Sequence, residues 1–376
     1  MSLLSIEAFE TNLDSLLALL ENLVTRESPS SDKEALDALG AFTAKRMRSL
    51  GAEVERIPQE RYGDQWLGRW GKGPGGILLL GHLDTVYPPG TLKTMPWRRD
   101  DQYIYGPGCL DMKVSLAMAL TVIGRLIDEE MLPSNRISLL CTSDEEIGSH
   151  SSRPLIEREA QQHDLVLCLE PALPDGSLKT WRKGSLDFKV EAHGQASHAG
   201  SAIDAGTNAI VEIALQIPQL LELADDTTGT TVNIGVIQGG SRPNVVPEVC
   251  TIEVDVRAKT QAEGDRVQRA VQALKPVLDG AGLSIRGGWN RFPMEQDSLM
   301  QETFQRAAGI ASRLGIVLSK GGTGGVSDAN FVANLGVPVL DGLGAIGAGA
   351  HSPGECVELG SIASRCALLA ALLSSW

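Results

Sequence analysis

The first half of the chain alternates stretches of helical apolar spacing with short, unbroken apolar runs, each ending at a polar cluster: GILLLGHLD, RISLLCTSDEE and DLVLCLEP. Runs without polar alternation mark strands buried on both faces. Their alternation with helices predicts an α/β fold with a mostly parallel sheet and flanking helices. Helical spacing predicts helices over Leu13 to Val24, Asp32 to Leu50 and Met112 to Glu130, the last ended by Pro133.

Near Gly184 the pattern changes. From SLDFKVEAHG to SIRGG the order is strand, helix (Asp204 to Leu223), strand (TTVNIGVIQGG), strand (VCTIEVDVRAK), helix (Ala262 to Leu278), strand (LSIRG). This βαββαβ order is the ferredoxin-like split arrangement, and about 105 residues is a natural size for such a domain. Helix Leu299 to Leu314, the strand GVPVL and a closing helix Leu359 to Ser375 then return to α/β texture. The expected organisation is one domain made of residues 1–180 and 289–376, interrupted by an inserted α+β domain at 181–288.

A length of 376 residues agrees with two domains, and 43% hydrophobic with 21% charged residues is ordinary globular composition. A net charge of -14 argues against nucleic-acid or anionic-membrane partners, because either surface repels an acidic protein. The opening MSLLSIEAFETNLDSLLALLENLV has acids among its apolar residues and no basic region before them, so it reads as neither signal peptide nor anchor. Six cysteines are scattered without CxxC pairs, which suggests neither a zinc knuckle nor a disulfide framework and leads us to expect a reducing cytoplasm.

In an open α/β sheet ligands bind outside the carboxyl ends of the strands. There GILLLG runs into His82, ISLLCTSD into Glu145 and Glu146, LVLCL into Glu170, and VPVL, across a Gly-rich loop, towards His351; Asp111 stands just before the long helix. Alone, Glu145 and Glu146 would cap a following helix, Asp111 would N-cap Met112 to Glu130, and a single histidine would be a core or loop residue, as we read His150, His163 and His193. Together these residues form a carboxylate and imidazole set without cysteine, which suits Zn²⁺ or a similar first-row ion. His82, Asp111, Glu146, Glu170 and His351 make two three-ligand sites only if one is shared. Asp111 as the bridge leaves His82 and Glu170 for one ion and Glu146 and His351 for the other. Asp84, two residues from His82, faces the same way on an extended segment and reaches the imidazole's second nitrogen. Glu145 then remains as a general base beside a metal-acidified water. Nucleotide-binding and serine-hydrolase readings fail: GPGCLD lacks the third glycine of GxGxxG, and no GxxxxGK[ST] or GxSxG occurs.

With HLDTV, GPGCLDMK, SDEEIGS, CLEPA, GQASHAG, NVVP, GGVSDANF and GAGAHSPGE in this order, the sequence resembles the two-zinc family of glutamate carboxypeptidase, aminoacylase, acetylornithine deacetylase and succinyl-diaminopimelate desuccinylase. The resemblance implies a zinc exopeptidase-like catalytic domain interrupted by a dimerisation or lid domain, hence a homodimer. It also implies two Zn²⁺ per subunit, with Co²⁺ or Mn²⁺ as alternatives, and a peptide or N-acyl amino acid substrate. His198 in GQASHAG matches the lid histidine that reaches the partner subunit's active site; Asn244 and Arg291 match positions that hold the substrate carboxylate, and Lys183 matches more weakly. SDAN at Ser327 to Asn330 lacks the arginine associated with desuccinylases at this loop, and GAGAHSPGE is nearer the glutamate carboxypeptidase branch. The alternatives are an acetylornithine deacetylase or aminoacylase-like N-deacylase and a non-catalytic binding member of the fold, against which the retention of Glu145 speaks.

Overall fold

The computed structural model describes residues 3–376; Met1 and Ser2, included in the expected first domain, lie outside the described residues. The chain divides into two units. One runs to Thr180 and resumes at Gln296–Gly322 and Ser327–Trp376; the other is Trp181–Glu295 with Thr323–Val326.

The first unit is built on an eight-stranded sheet in the order Glu53–Ile57, Gln65–Trp70, Ile137–Thr142, Ile77–His82, Leu165–Cys168, Val339–Asp341, Leu178–Arg182, Lys320–Thr323. From Ile137–Thr142 to Val339–Asp341 the strands are parallel, while Gln65–Trp70 and Leu178–Arg182 join that centre antiparallel. Ile77–His82 and Ile137–Thr142 are buried at every residue, which is why their sequences show no polar alternation. Helices Leu13–Val24, Lys33–Ser49, Val114–Asp128 and Ile362–Ser375 supply the leucines and alanines of the core around this sheet. Helix Val114–Asp128 is buried almost all round, as its nearly continuous apolar sequence requires. Side-chain caps fix the helix entries: Asp32 accepts from the Ala35 N–H at 3.0 Å and Asp297 from the Met300 N–H at 2.8 Å, each worth about 1 kcal/mol.

Two sequence expectations need correction. The long helix begins at Val114 rather than Met112, because Cys109–Lys113 is a distorted turn in which Asp111 has non-helical φ/ψ of -113° and 93°. Asp111 therefore caps no helix. The helix expected to reach Leu278 ends at Gln272, since Pro276 disfavours helical geometry before it.

The second unit has a four-stranded antiparallel sheet in the order Thr231–Gly239, Val249–Ala258, Gly184–His193, Gly282–Arg291. Helices Ala209–Leu221 and Gln261–Gln272 complete the ferredoxin-like order. Leu186, Phe188, Val190 and Ala192 alternate inward and pack with Ile213, Leu220, Val267 and Val271 of the helices, so one sheet face is covered. Among the described residues, no helix is long and apolar enough to cross a membrane.

Candidate metal centre

Parallel register brings the strand ends together. His82 pairs opposite Thr142, three residues before Glu145, and Leu80 opposite Cys168, two residues before Glu170. His82 is the last residue of its strand and is buried. Its Nε2 lies 3.1 Å from Asp111 Oδ1 and 3.6 Å from Glu170 Oε1. The other nitrogen, Nδ1, lies 3.0 Å from the main-chain oxygen of Asp84 and 3.4 Å from its Oδ1, so the main-chain oxygen is the nearer partner of the imidazole.

The Asp84 carboxylate does more than face His82. Fully buried, it accepts from the main-chain N–H of Glu145 at 3.2 Å on Oδ1, and from that of Glu146 at 3.1 Å and the Ser30 hydroxyl at 2.8 Å on Oδ2. One carboxylate thus ties the turn Glu145–Ile147 to the His82 strand end.

His351 comes from a loop. Its φ of 63° is left-handed, and Gly349 two residues earlier has φ 72° with a position where an added Cβ would meet the Gly354 carbonyl oxygen at 2.8 Å. Only glycine suits that position. His351 Nε2 reaches 3.1 Å from Glu146 Oε2 and 3.3 Å from Asp111 Oδ2. Asp111 accordingly presents Oδ1 to His82 and Oδ2 to His351. The other oxygen of Glu146, Oε1, is buried without a hydrogen-bond partner. Such an atom is costly unless something else satisfies it.

The charges are mutually dependent. Burial opposes a charge on His82, but hydrogen bonds to Asp111, Asp84 and Glu170 outweigh it and hold the imidazole pKa above its ordinary 6.5. Hydrogen bonds to Asp111 and Glu146 push His351 up to about 10 against burial. Burial pushes Glu146 up to about 7 against the pull of His351, and Asp111, although buried, is held below the usual carboxylate range by both histidines. Without a cation the carboxylates stay together only while the imidazoles hold protons, a service that a divalent ion provides with more charge in the same space. The donor spacing also fits. Donors at about 2.0–2.1 Å around a tetrahedral ion lie about 3.3 Å apart, and the four contacts Asp111–His82, Glu170–His82, Asp111–His351 and Glu146–His351 measure 3.1 to 3.6 Å. His82, Asp111 and Glu146 each offer a donor atom, all mutually within 4.8 Å.

Sequence reading missed the carboxylate that carries the Asp111 turn. Glu355, wholly buried, accepts from the N–H groups of Gly108, Leu110 and Asp111 and from the Tyr87 hydroxyl. Its only signal was its place at the end of GAGAHSPGE, where an acid after Ser-Pro-Gly reads as a surface loop. Burial raises its pKa from the ordinary 4.5, and these donors offset that only in part.

The remaining candidates lie in the second unit. His198 is exposed; its Nδ1 accepts from the N–H groups of Gly200 and Ser201, both at 3.1 Å, which leaves the ring proton on Nε2. Asn244 lies beside it, its carbonyl accepting from the Ala199 N–H at 3.1 Å. Arg291 is buried at the end of strand Gly282–Arg291, and the Lys183 N–H donates to the Thr323 carbonyl at 3.2 Å. His163 is a core histidine, bonded to the Glu159 carbonyl and the Ser138 hydroxyl.

Comparison with known proteins adds the following. A family model described as peptidase family M20/M25/M40 matches residues 78–375. Carboxypeptidase G2 of Pseudomonas sp. (strain RS-16) is 32% identical over 365 residues, covering 94% of this chain and 87% of the relative. Succinyl-diaminopimelate desuccinylase of Alkalilimnicola ehrlichii is 27% identical over 339 residues, 84% of this chain and 87% of the relative. Among solved structures, the aminopeptidase PepT of Bacillus cereus ATCC 10987 superposes with a TM-score of 0.77 at 22% identity, over 96% of this chain and 98% of that one, a likeness of fold.

Proposed function

The chain belongs to peptidase family M20/M25/M40, and from that premise we propose that it is a two-ion metallohydrolase cleaving an amide bond beside a free carboxylate, in the manner of a glutamate carboxypeptidase. The observation that carries the reading is Asp111, whose two oxygens face two separate sets, His82 with Glu170 and His351 with Glu146. His82, Glu170 and Asp111 would hold one ion, and Asp111, Glu146 and His351 the other. The donor chemistry suits Zn²⁺, with Co²⁺ or Mn²⁺ as alternatives. Bound there, divalent ions polarise the scissile carbonyl and acidify the attacking water.

The protein's own residues do the rest. With Nδ1–H donating to the Asp84 main-chain oxygen, His82 turns Nε2 to Asp111 and Glu170 in the correct tautomer. Glu145 is fixed by its N–H to Asp84 beside the ligand Glu146, and its carboxylate takes a proton from the attacking water and passes it to the leaving amine nitrogen. His198, with its proton on Nε2, donates to the developing oxyanion from the partner subunit, while Arg291, with Asn244 and Lys183, holds the substrate carboxylate. A homodimer through the inserted unit is supported by that unit's own surface. Ile210, Val211 and Leu215 of helix Ala209–Leu221 and Val236 and Ile237 of the edge strand Thr231–Gly239 are exposed, and an edge strand offers unpaired backbone groups. The six cysteines are all free thiols, which suits a cytoplasmic setting.

The likeness to the desuccinylase favours N-deacylation as the second reading. A panel of N-acyl amino acids and glutamate-terminated peptides, assayed with and without chelator, separates the two. Glu145→Ala should retain fold and metal and lose about 10²–10⁴ in rate. Turnover that survives both chelation and Glu145→Ala would refute the proposal.

A further inference from the structure

Resting on the two-ion reading above, we propose that Glu355 is a positioning residue that makes Asp111 a bridge, by locking the Asp111 turn to the His351 loop so that the Asp111–Glu146–His351 site depends on it more than the site of His82 and Glu170, which shares only Asp111 with it.

The donor atoms are held in two different ways. His82 ends a central strand, and Glu170 follows by two residues a strand paired with it, so the ladder of the parallel sheet places both. Asp111 and His351 follow no strand of that sheet; His351 lies in the turn of a short hairpin between Gly347–Ala348 and Cys356–Glu358. Asp111 sits in a turn with non-helical backbone angles, and His351, half exposed, in a loop with left-handed backbone. These two segments meet on the Glu355 carboxylate.

Oε1 accepts from Leu110 N–H at 2.7 Å and from Asp111 N–H at 2.9 Å; Oε2 accepts from Gly108 N–H at 2.9 Å and lies 2.6 Å from the Tyr87 hydroxyl. The same hydroxyl is 2.9 Å from the carbonyl oxygen of Ser352, the residue after His351. Within the loop, Ser352 N–H donates to Gly349 O at 3.0 Å and Glu355 N–H to Ser352 O at 3.1 Å, so Glu355 closes the loop that carries the histidine. A loop anchored at its end and a turn hung on the same carboxylate keep Asp111 Oδ2 facing His351.

All four partners are neutral donors, the surroundings of an acceptor-only, ionised carboxylate. Glutamine has the same shape but cannot replace it. Either orientation turns its NH₂ towards a backbone N–H: to those of Leu110 and Asp111, or to that of Gly108, where only the Tyr87 hydroxyl is able to rotate and accept. Asp111 then loses its support without any change in a ligand.

The test is metal titration of apoprotein with Zn²⁺ and with Co²⁺, by calorimetry and by the cobalt visible spectrum. Wild type should take two ions. Glu355→Gln should keep one tightly and bind the second about 10–100-fold more weakly, with activity restored by excess metal, and Tyr87→Phe should weaken the same second ion less. In a His351→Ala background, which already lacks the second site, Glu355→Gln should weaken the remaining ion, which shares Asp111, less than it weakens the second ion of the intact protein. Fewer than two ions in wild type would overturn the two-ion reading and this proposal with it. Two ions in wild type, with both affinities in Glu355→Gln unchanged or weakened equally, would overturn this proposal alone. If Glu355→Gln does not fold, Tyr87→Phe decides by the same readings.

Discussion

Replacing Asp84 by asparagine changes one buried oxygen to nitrogen and tests whether a single carboxylate sets the centre's geometry. Asp84 is fully buried, and both of its oxygens accept: Oδ1 from the Glu145 N–H at 3.2 Å, Oδ2 from the Glu146 N–H at 3.1 Å and the Ser30 hydroxyl at 2.8 Å. An amide has one acceptor oxygen. With NH₂ at the Oδ2 position, Ser30 rotates to accept but the Glu146 N–H is orphaned; with NH₂ at the Oδ1 position, the Glu145 N–H is orphaned. Either way one buried backbone donor loses its partner, at a cost of about 1–3 kcal/mol. The turn bearing Glu145 and Glu146 loosens, and the support of His82 changes with it, for which a 10–100-fold loss of metal affinity or activity is typical. Denaturant unfolding gives the first quantity, and metal titration with steady-state kinetics the second. Ser30→Ala is the control, since it removes one neutral hydrogen bond worth about 0.5–1.5 kcal/mol and leaves both main-chain contacts. If Asp84→Asn matches wild type in unfolding midpoint and metal affinity, or if Ser30→Ala is the more damaging, Asp84 does not set this geometry.

His198→Ala should lower kcat by about 10²–10³ with metal content intact. Purified mixed dimers of His198→Ala with Glu145→Ala should regain activity that neither homodimer has, and mixed dimers as inactive as the parents would put His198 within its own subunit or outside the mechanism. Arg291→Ala should reduce the preference for a free carboxylate over its amide by about 10–100-fold; an unchanged preference assigns that contact elsewhere. Asp64 should contribute to acid stability. Burial pushes its carboxyl up, but hydrogen bonds from Lys33, the Gln59 N–H and Arg56 outweigh it and leave the folded pKa below 3.8. The unfolded chain then binds the proton more readily, so this stabilisation is complete above the unfolded value and is lost as pH falls through the folded one. Asp64→Asn should flatten the acid limb of Tm against pH, and an unaltered limb would contradict the assignment.

The parallel centre of the first unit was legible because Ile77–His82 and Ile137–Thr142 are buried on both faces and carry apolar side chains throughout. Strand Gln65–Trp70 was not, although it is almost as buried, because two of its side chains carry polar donors that are paired inside: Gln65 donates to the Ser151 hydroxyl at 3.0 Å and Trp70 to the Leu50 carbonyl at 2.8 Å. Polar residues satisfied by distant parts of the chain look like surface in a linear pattern. Glu355 was obscure for the same reason, its donors lying some 245 positions earlier in the sequence. His82, Glu146, Glu170 and His351 stood out as chemistry at strand exits, and their donor atoms gather around Asp111 or His82. What spacing could not convey was the turn around Asp111. The bridge was expected of Asp111 and a helix cap was its alternative, but neither reading foresaw that the backbone is bent away from the helix there.

The first unit's chain is split around the second, and this has a consequence for biosynthesis. Residues 181–295 are almost a complete unit by themselves, needing only Thr323–Val326, whereas the first unit must wait for strand Val339–Asp341, His351, Glu355 and the buried helix Ile362–Ser375. On the ribosome the inserted unit thus emerges nearly whole while its host is still an open sheet missing an inner strand and its closing helix. During that interval Asp111, Glu146 and Glu170 have neither His351 nor the Glu355 anchor. Ions taken up by the nascent chain meet an incomplete donor set, so the mature centre is assembled last, after translation has delivered both halves of its scaffold.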